Sequence, residues 1–498
     1  MELKSVVKKL ASETAIYGLS TILARFINFL FLPLYTYHLT TADYGVLTEF
    51  MAYIAVFQVM LTMGLETGCF RYANKEGYNP SKVFSGALSM VGGVGLLFMA
   101  LLSIFSGPLA KGMGYEGFEN CYYYIGAILL SDSLTAILFA RLRYQYKAWK
   151  FAIFKTIKIF TETGCNILLF LFFPGYAQTH PDTFLLDLVS ATPDFTYPVF
   201  SILVSAVVAL LLFIPDIIKT GFSFDTRTLK SLLKYSLPLM IAGLPGVMND
   251  FLDRLLFRYF NVDDTLWRSD LGIYQAAVKV AVIMSLFVQM FRFASEPFFF
   301  ARAADKDMKR IYSRVMEYFV MFCMLVFLGI VFYIDIIQLI VGRDFRAGME
   351  IVPIMLLSYM MLGMLFNVSM WYKLSDKSGF AIVITSVGLV VTAVVNILFL
   401  PKYSYYAAAW GHFLSYFTML VISTLLGNKY YPIPYSWKKI LAIILFGLAI
   451  MGVAMMLPAT MPAWLMLVIK SLLIIFYVAV LAFTEYYKRK KVIKRWKN

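Results

Sequence analysis

Nine basic side chains interrupt long apolar runs: Arg25, Lys155, Lys158, Arg254, Arg258, Lys279, Arg292, Arg314 and Lys470. If those runs cross a membrane, each cation at mid-bilayer costs about 2.5–3.5 kcal/mol on insertion scales, so it must face a cavity or a partner. Arg258, Arg314 and Lys155 sit near run ends, where a long stem can carry the charge to the interface. Five others are deeper. Arg25 is central in the first run, Arg254, Lys279 and Arg292 lie in the seventh and eighth, and Lys158 is about 6 Å from the middle of the fifth. In hydrocarbon these five would cost roughly 13–17 kcal/mol together. A water-filled cationic cavity is the economical arrangement, and its chemistry is the binding of anions.

Acids fall in the same runs: Glu66, Asp132, Glu162, Asp250, Asp253, Glu296, Glu317 and Asp335. Lys158 and Glu162 are four apart, as are Asp250 and Arg254, and Arg292 and Glu296, so each couple can meet on one helix face. The bland reading is that each pair neutralises itself and merely permits insertion. Asp250, Asp253 and Arg254 share a face with Asn249 beside them, and Arg25 has no acid within helical reach in its own run. A central arginine of that kind needs another helix or an anionic ligand, and the ligand is favoured. Other chemistry is unsupported. There is no GxxxxGK[ST] phosphate loop, no HExxH, no GxSxG elbow, and three scattered histidines. Four cysteines without a CxxC read as small core residues, so neither a disulfide framework nor a metal site is expected.

The elements that position these charges follow from composition. Of 498 residues, 61% are hydrophobic and 15% charged, against roughly 45–50% and 25% in soluble domains. A soluble enzyme, a nucleic-acid-binding module and a disordered chain are thereby excluded. Apolar stretches fall at 11–38, 46–69, 84–107, 119–140, 151–173, 195–218, 235–259, 271–298, 311–340, 350–372, 379–400, 404–426, 440–457 and 463–486, fourteen predicted spans. The stretch 119–140, with Asp132 inside, is the weakest. Lysine and arginine number 30 in connections on the N-terminal side and 5 on the other, so both termini are expected in the cytoplasm. The net charge of +15 is therefore a topology signal, with the tail from Lys488 to Lys497 set against anionic headgroups and no nucleic-acid partner.

A short repeat organises the spans. Asp43-Tyr44-Gly45-Val46 recurs 227 residues later as Asp270-Leu271-Gly272-Ile273. Six spans separate the copies, so the halves share orientation and an axis along the membrane normal would relate them. The expected architecture is an all-α polytopic membrane protein of 14 transmembrane helices. It comprises a six-helix lobe (1–218), an inter-lobe linker (219–234), a second six-helix lobe (235–426), two additional helices (427–486) and a basic tail (487–498).

Three segments carry a resemblance: Ile22-Leu23 through Arg25-Phe26 into Thr41-Ala42-Asp43-Tyr44-Gly45; Arg141-Leu142-Arg143 with Tyr144 and Lys147; and Leu229 through Pro238 leading to Asn249-Asp250 and Leu271-Gly272-Ile273-Tyr274. Over about residues 5–430 the chain resembles Wzx-type polysaccharide flippases, in the superfamily of the lipid II flippase and the multidrug and toxin exporters. The resemblance implies a non-enzyme of the bacterial cytoplasmic membrane that moves an undecaprenyl-pyrophosphate-linked oligosaccharide, for O-antigen, capsule or exopolysaccharide, by alternating access. It also implies the lipid-linked glycan, membrane lipids and the polymerase and other assembly proteins as partners. A basic residue of the first span lines the cavity in that family. That role passes to Arg25 and, by extension from the charge pattern, to Lys158, Arg254, Lys279 and Arg292. With no phosphate loop, an ion gradient or consumption of product outside is expected to supply the energy; Glu66, Asp250 and Asp253 are the candidate proton or sodium sites, with no other cofactor. Alternatives are a cation or drug exporter of the same superfamily, which five basic groups disfavour, the lipid II flippase, and a membrane polymerase or ligase, disfavoured by an outer loop (174–194) lacking Lys and Arg.

Overall fold

The computed structural model describes the backbone of residues 2–261, 266–301, 307–458 and 460–497. Within those, side chains are described from 18 to 487 except at 19, 297, 300 and 301. Lys4, Lys8, Lys9 and the tail cations from Lys488 lie outside the described side chains. The described chain is a polytopic, all-helical membrane protein. Eleven described helices are long and apolar enough to cross a membrane, or thirteen if two bent pairs each count as one span.

One compact unit comprises Met1–Gln275 with Asn396–Ser404. It holds α1 (Glu2–His38), α2 (Thr41–Thr62), α3 (Leu65–Ala73), α4 (Pro80–Ile104), α5 (Ser106–Gly112), α6 (Asn120–Tyr144), α7 (Ala148–Leu171), α8 (Phe173–Thr179), α9 (Thr196–Leu212), α10 (Ile214–Thr220), α11 (Thr226–Phe260) and the start of α12 (Trp267–Ala301). The predicted span at 119–140 is α6, so its internal acid did not prevent helix formation. The spans expected at 151–173 and 195–218 are bent by 49° and 50° where α7 meets α8 and α9 meets α10. Span two is divided as well: Met63 and Gly64 both take positive φ, 49° and 67°, and restart the helix as α3.

Caps fix where several helices begin. Thr40 accepts from the Asp43 amide at 3.1 Å, and Asn79, followed by Pro80, accepts from Ser81 N at 2.9 Å. Asp225 caps α11 through the Arg227 amide at 3.2 Å. The unit's core joins Val83, Ala87, Leu88 and Val91 of α4 to Ile137, Leu138, Ala140 and Leu142 of α6, with Leu65 and Cys69 of α3 and Phe213. Lipid is as apolar as these side chains, so close packing rather than the hydrophobic effect holds such helices together.

The two repeat copies meet. A Cβ on Gly45 would lie 1.8 Å from the Arg268 carbonyl oxygen, and one on Gly272 would lie 2.0 Å from that of Thr41. Only glycine lets the first turns of α2 and α12 cross backbone to backbone. Thr41 and Ser269 hydroxyls share a hydrogen bond of 2.5 Å beside the crossing. The sequence places an inter-lobe linker at 219–234; here residues 226–234 are already the first turns of α11, which packs with the first unit.

The other unit comprises Ala276–Val395 and Tyr405–Asn498. It contains the remainder of α12, then α13 (Met308–Phe332), α14 (Ile334–Ile337), α15 (Val352–Val368), α16 (Met370–Leu374), most of α17 (Gly379–Tyr403), α18 (Tyr405–Tyr430), α19 (Trp437–Met455) and α20 (Ala463–Lys497). Helices α19 and α20 correspond to the two additional spans. Lys439 of α19 fastens them, donating to Glu485 of α20 at 2.5 Å and to Glu317 of α13.

Candidate functional site

Within the first unit, α1, α3, α6 and α7 gather a cluster of cations. Lys155 and Lys158 are three residues apart on α7, about 4.5 Å along its axis and on neighbouring positions of one face. The Lys155 ammonium donates to Thr21 Oγ1 at 3.1 Å, one turn before Arg25 on α1. Arg25, Arg143, Lys158 and Glu66 all lie within electrostatic reach of Lys155. Arg143, near the end of α6, donates from Nη2 to Glu66 Oε2 at 3.0 Å; the break at Met63 and Gly64 restarts the chain as α3, whose first turn carries Glu66. Lys158 donates to Asp132 Oδ1 across the α6–α7 interface. The helical spacing had suggested Glu162 as its neighbour. The interhelical partner exists because α6 presents Asp132 between Ser131 and Ser133, where α7 passes.

The cluster is not sealed. Arg25 is exposed and Lys155 half-buried. Charged groups at membrane depth are stable only beside water, protein or a polar ligand. Guanidinium and ammonium groups collected this way are suited to phosphate oxygens, the arginines by paired donors. Lys155 was expected to reach the interface from a span end. It lies two turns inside α7 and is held instead by α1, so it belongs to the cluster.

The other predicted residues of this unit lie on α11. Asp253 is fully buried, accepts from the Tyr274 hydroxyl, and receives Arg254 Nη1 at 3.2 Å. Arg254 is also buried; its Nε donates to Gln275 Oε1 at 3.2 Å and its Nη1 to the backbone carbonyl of Asp250. Asp250 itself is exposed. Arg254 thus reaches both the backbone oxygen of Asp250, one turn earlier, and the Asp253 carboxylate. Lys279 and Arg292 lie on the part of α12 in the other unit. Lys279 is half-buried, while Arg292 is exposed, bonds Glu296 at 3.2 Å as its spacing implied, and lies 4.6 Å over the Phe366 ring. Lys373 joins them, donating to Glu296 at 2.5 Å.

A third network had no place in the sequence reading. Arg258 holds both oxygens of fully buried Glu49, at 2.5 and 2.6 Å, and donates to the Tyr115 hydroxyl at 2.8 Å and the Met113 carbonyl at 2.9 Å. Trp267 lies under the same guanidinium at 4.5 Å. Burial, then the neighbouring Glu49 carboxylate, pushes the Tyr115 phenol well up. Arg258 therefore does not extend along its stem to the interface: α2 begins at Thr41, so Glu49 is two turns inside and captures it. The sequence names Asp132, Arg143 and Lys155 without placing them together, and Glu49 lies near a predicted span end. The available clue was that an acid inside an apolar span implies a cation on a neighbouring one.

The family described as "Polysaccharide biosynthesis protein" matches residues 10–301, more than half of the chain. The chain belongs to that family. Among solved structures, it is similar to the lipid II flippase MurJ in an inward closed conformation, with TM-score 0.69 and 15% identity over 96% of this chain and 99% of that one. It is also similar to a multidrug resistance MATE transporter of the MOP superfamily in an inward-facing conformation, with TM-score 0.52, 13% identity, and 82% and 98% covered. An outward-facing conformation of such a transporter gives TM-score 0.51, 11% identity, and 85% and 94% covered. At these identities the likeness establishes the fold, which this polysaccharide biosynthesis protein shares with MurJ and the MATE transporters. A search of curated protein sequences returns no match.

Proposed function

We propose that this polysaccharide biosynthesis protein is a flippase that carries an oligosaccharide on undecaprenyl pyrophosphate from the cytoplasmic to the outer leaflet of a bacterial cytoplasmic membrane. The observation that carries the reading is the unsealed cluster of Arg25, Lys155 and Lys158, joined by Arg143 from the end of α6. A pyrophosphate headgroup is the anion such a cluster suits, and the prenyl tail stays in lipid while the head crosses. Alternating access presents the cluster first to one leaflet and then to the other. An ion gradient drives the cycle, with Glu66, Asp250 and Asp253 as proton or sodium sites; Glu66, beside Arg143, is the one inside the cluster. Arg254, Lys279 and Arg292 are the further cations proposed to meet the headgroup. The polymerase and other glycan-assembly proteins are the proposed partners downstream.

The test is mass spectrometry of lipid-linked oligosaccharides in a deletion strain complemented with wild type or with Arg25→Ala. Accumulation of a complete undecaprenyl-pyrophosphate repeat unit, cleared by wild type only, supports the reading and places Arg25 on the path. An unchanged lipid-linked pool overturns it, and efflux of cationic dyes would then be measured.

A further inference from the structure

Four carboxylate–cation pairings in the first unit differ in how far they are closed off from their surroundings. Glu49 with Arg258 is 0% and 13% exposed, and Asp253 with Arg254 is 0% and 9%. The cluster's own pairs are open by comparison: Asp132 with Lys158 is 24% and 23% exposed, Glu66 with Arg143 40% and 38%. Buried pairs cannot be separated without stranding a charge. Partly exposed pairs cost less to open than fully buried ones. Both open pairs are interhelical, α6 to α7 and α3 to α6, and Lys155 lies within electrostatic reach of Lys158, Arg143 and Glu66.

We propose that Asp132 and Glu66 are internal stand-ins for the substrate's phosphates, occupying Lys158 and Arg143 until a diphosphate displaces both. This rests on the flippase reading above and deepens it by naming the residues that the headgroup must displace. With no substrate the carboxylates neutralise Lys158 and Arg143. An incoming anion must exchange with them. A single phosphate group can replace one carboxylate; a diphosphate, with oxygens on two phosphorus atoms, can engage both released cations and Lys155 between them. The exchange displaces one carboxylate for a phosphate and two for a diphosphate, which offsets the second by engaging both cations and Lys155. Asp132 and Glu66 are positioning residues, and they touch the cations rather than the substrate.

The experiment measures binding of inorganic pyrophosphate and inorganic phosphate to the purified full-length protein in nanodiscs, by titration calorimetry at fixed ionic strength. Wild type, Asp132→Asn, Glu66→Gln, Asp132→Glu and Lys155→Gln are compared, with thermal unfolding alongside. Removing one competing carboxylate should spare each anion one exchange and tighten both by about fivefold. Asp132→Glu should restore wild-type affinity. If wild type binds pyrophosphate and Lys155→Gln does not, while Asp132→Asn and Glu66→Gln leave affinity unchanged or weaker, the stand-in role is wrong and the cationic site stands. A lowered unfolding midpoint without tighter binding likewise assigns both acids to structure alone. If wild type binds neither anion, the headgroup site itself is wrong, and the stand-in role goes with it. Should one variant fail to fold, the other acid decides.

Discussion

The Glu49 network and the Lys155 cluster use the same ingredients and are built for different ends. Around Glu49, one arginine satisfies both carboxylate oxygens, a tyrosine and a backbone carbonyl, with tryptophan beneath it. The charges are fully compensated by groups that bury them. Around Lys155, Arg143 and Lys158 are held by Glu66 and Asp132 and Lys155 by a threonine hydroxyl, and Arg25 is exposed. The first arrangement fixes α2, α11 and the 113–115 loop to one another. The second is the surface proposed above to exchange one anion for another. Burial, rather than residue type, separates the two arrangements.

The largest test of that contrast is Glu49→Ala. It leaves Arg258 buried without its carboxylate and should cost about 3–5 kcal/mol of stability, read as a loss of folded protein or a steep fall in the unfolding midpoint. A change below 1 kcal/mol, on the order of an exposed pair, would erase the distinction. Next is Gly45→Val, whose Cβ would meet the Arg268 carbonyl at 1.8 Å. It should cost about 1–3 kcal/mol or separate α2 from α12. Gly164→Ala on α7, with nothing within 4 Å of the added Cβ, should instead be neutral or stabilising by up to about 1 kcal/mol.

Lys155→Gln reverses the balance between stability and function. Its stability change should stay within about 1 kcal/mol, because its hydrogen bond is to a neutral hydroxyl. Lipid-linked oligosaccharide should nevertheless accumulate as it does in the deletion strain. The smallest effect belongs to Asp225, which is half-buried at the start of α11. The Thr228 hydroxyl, donating at 3.1 Å, holds its carboxyl below the usual range. A depressed folded value stabilises above the unfolded pKa of about 3.9 and is lost as pH falls through the folded one. Asp225→Ala should therefore lower the unfolding midpoint slightly at pH 7, with the difference vanishing as pH drops below about 4. A difference that persists at low pH would assign the effect to helix propensity instead.

The sequence by itself determined what depends on local chemistry and on the membrane. Twenty-residue apolar runs must be helices in lipid, because no other backbone arrangement satisfies its own hydrogen bonds there. Hence α6 was legible despite Asp132, and Arg25 and Lys158 stood out as charges out of place. The i,i+4 spacing also gave Arg292 with Glu296. The repeat glycines at 45 and 272 were visible as a pattern, although their meeting was not. Tertiary structure alone decided the partners across helices: Asp132 for Lys158, Glu66 for Arg143, Glu49 for Arg258, and Thr21 for Lys155. Such pairings join positions from 26 to 209 residues apart. Spacing along one helix carries no information about which face of a neighbour it meets. Charge placement can therefore be read from one chain, whereas charge compensation depends on how the helices pack.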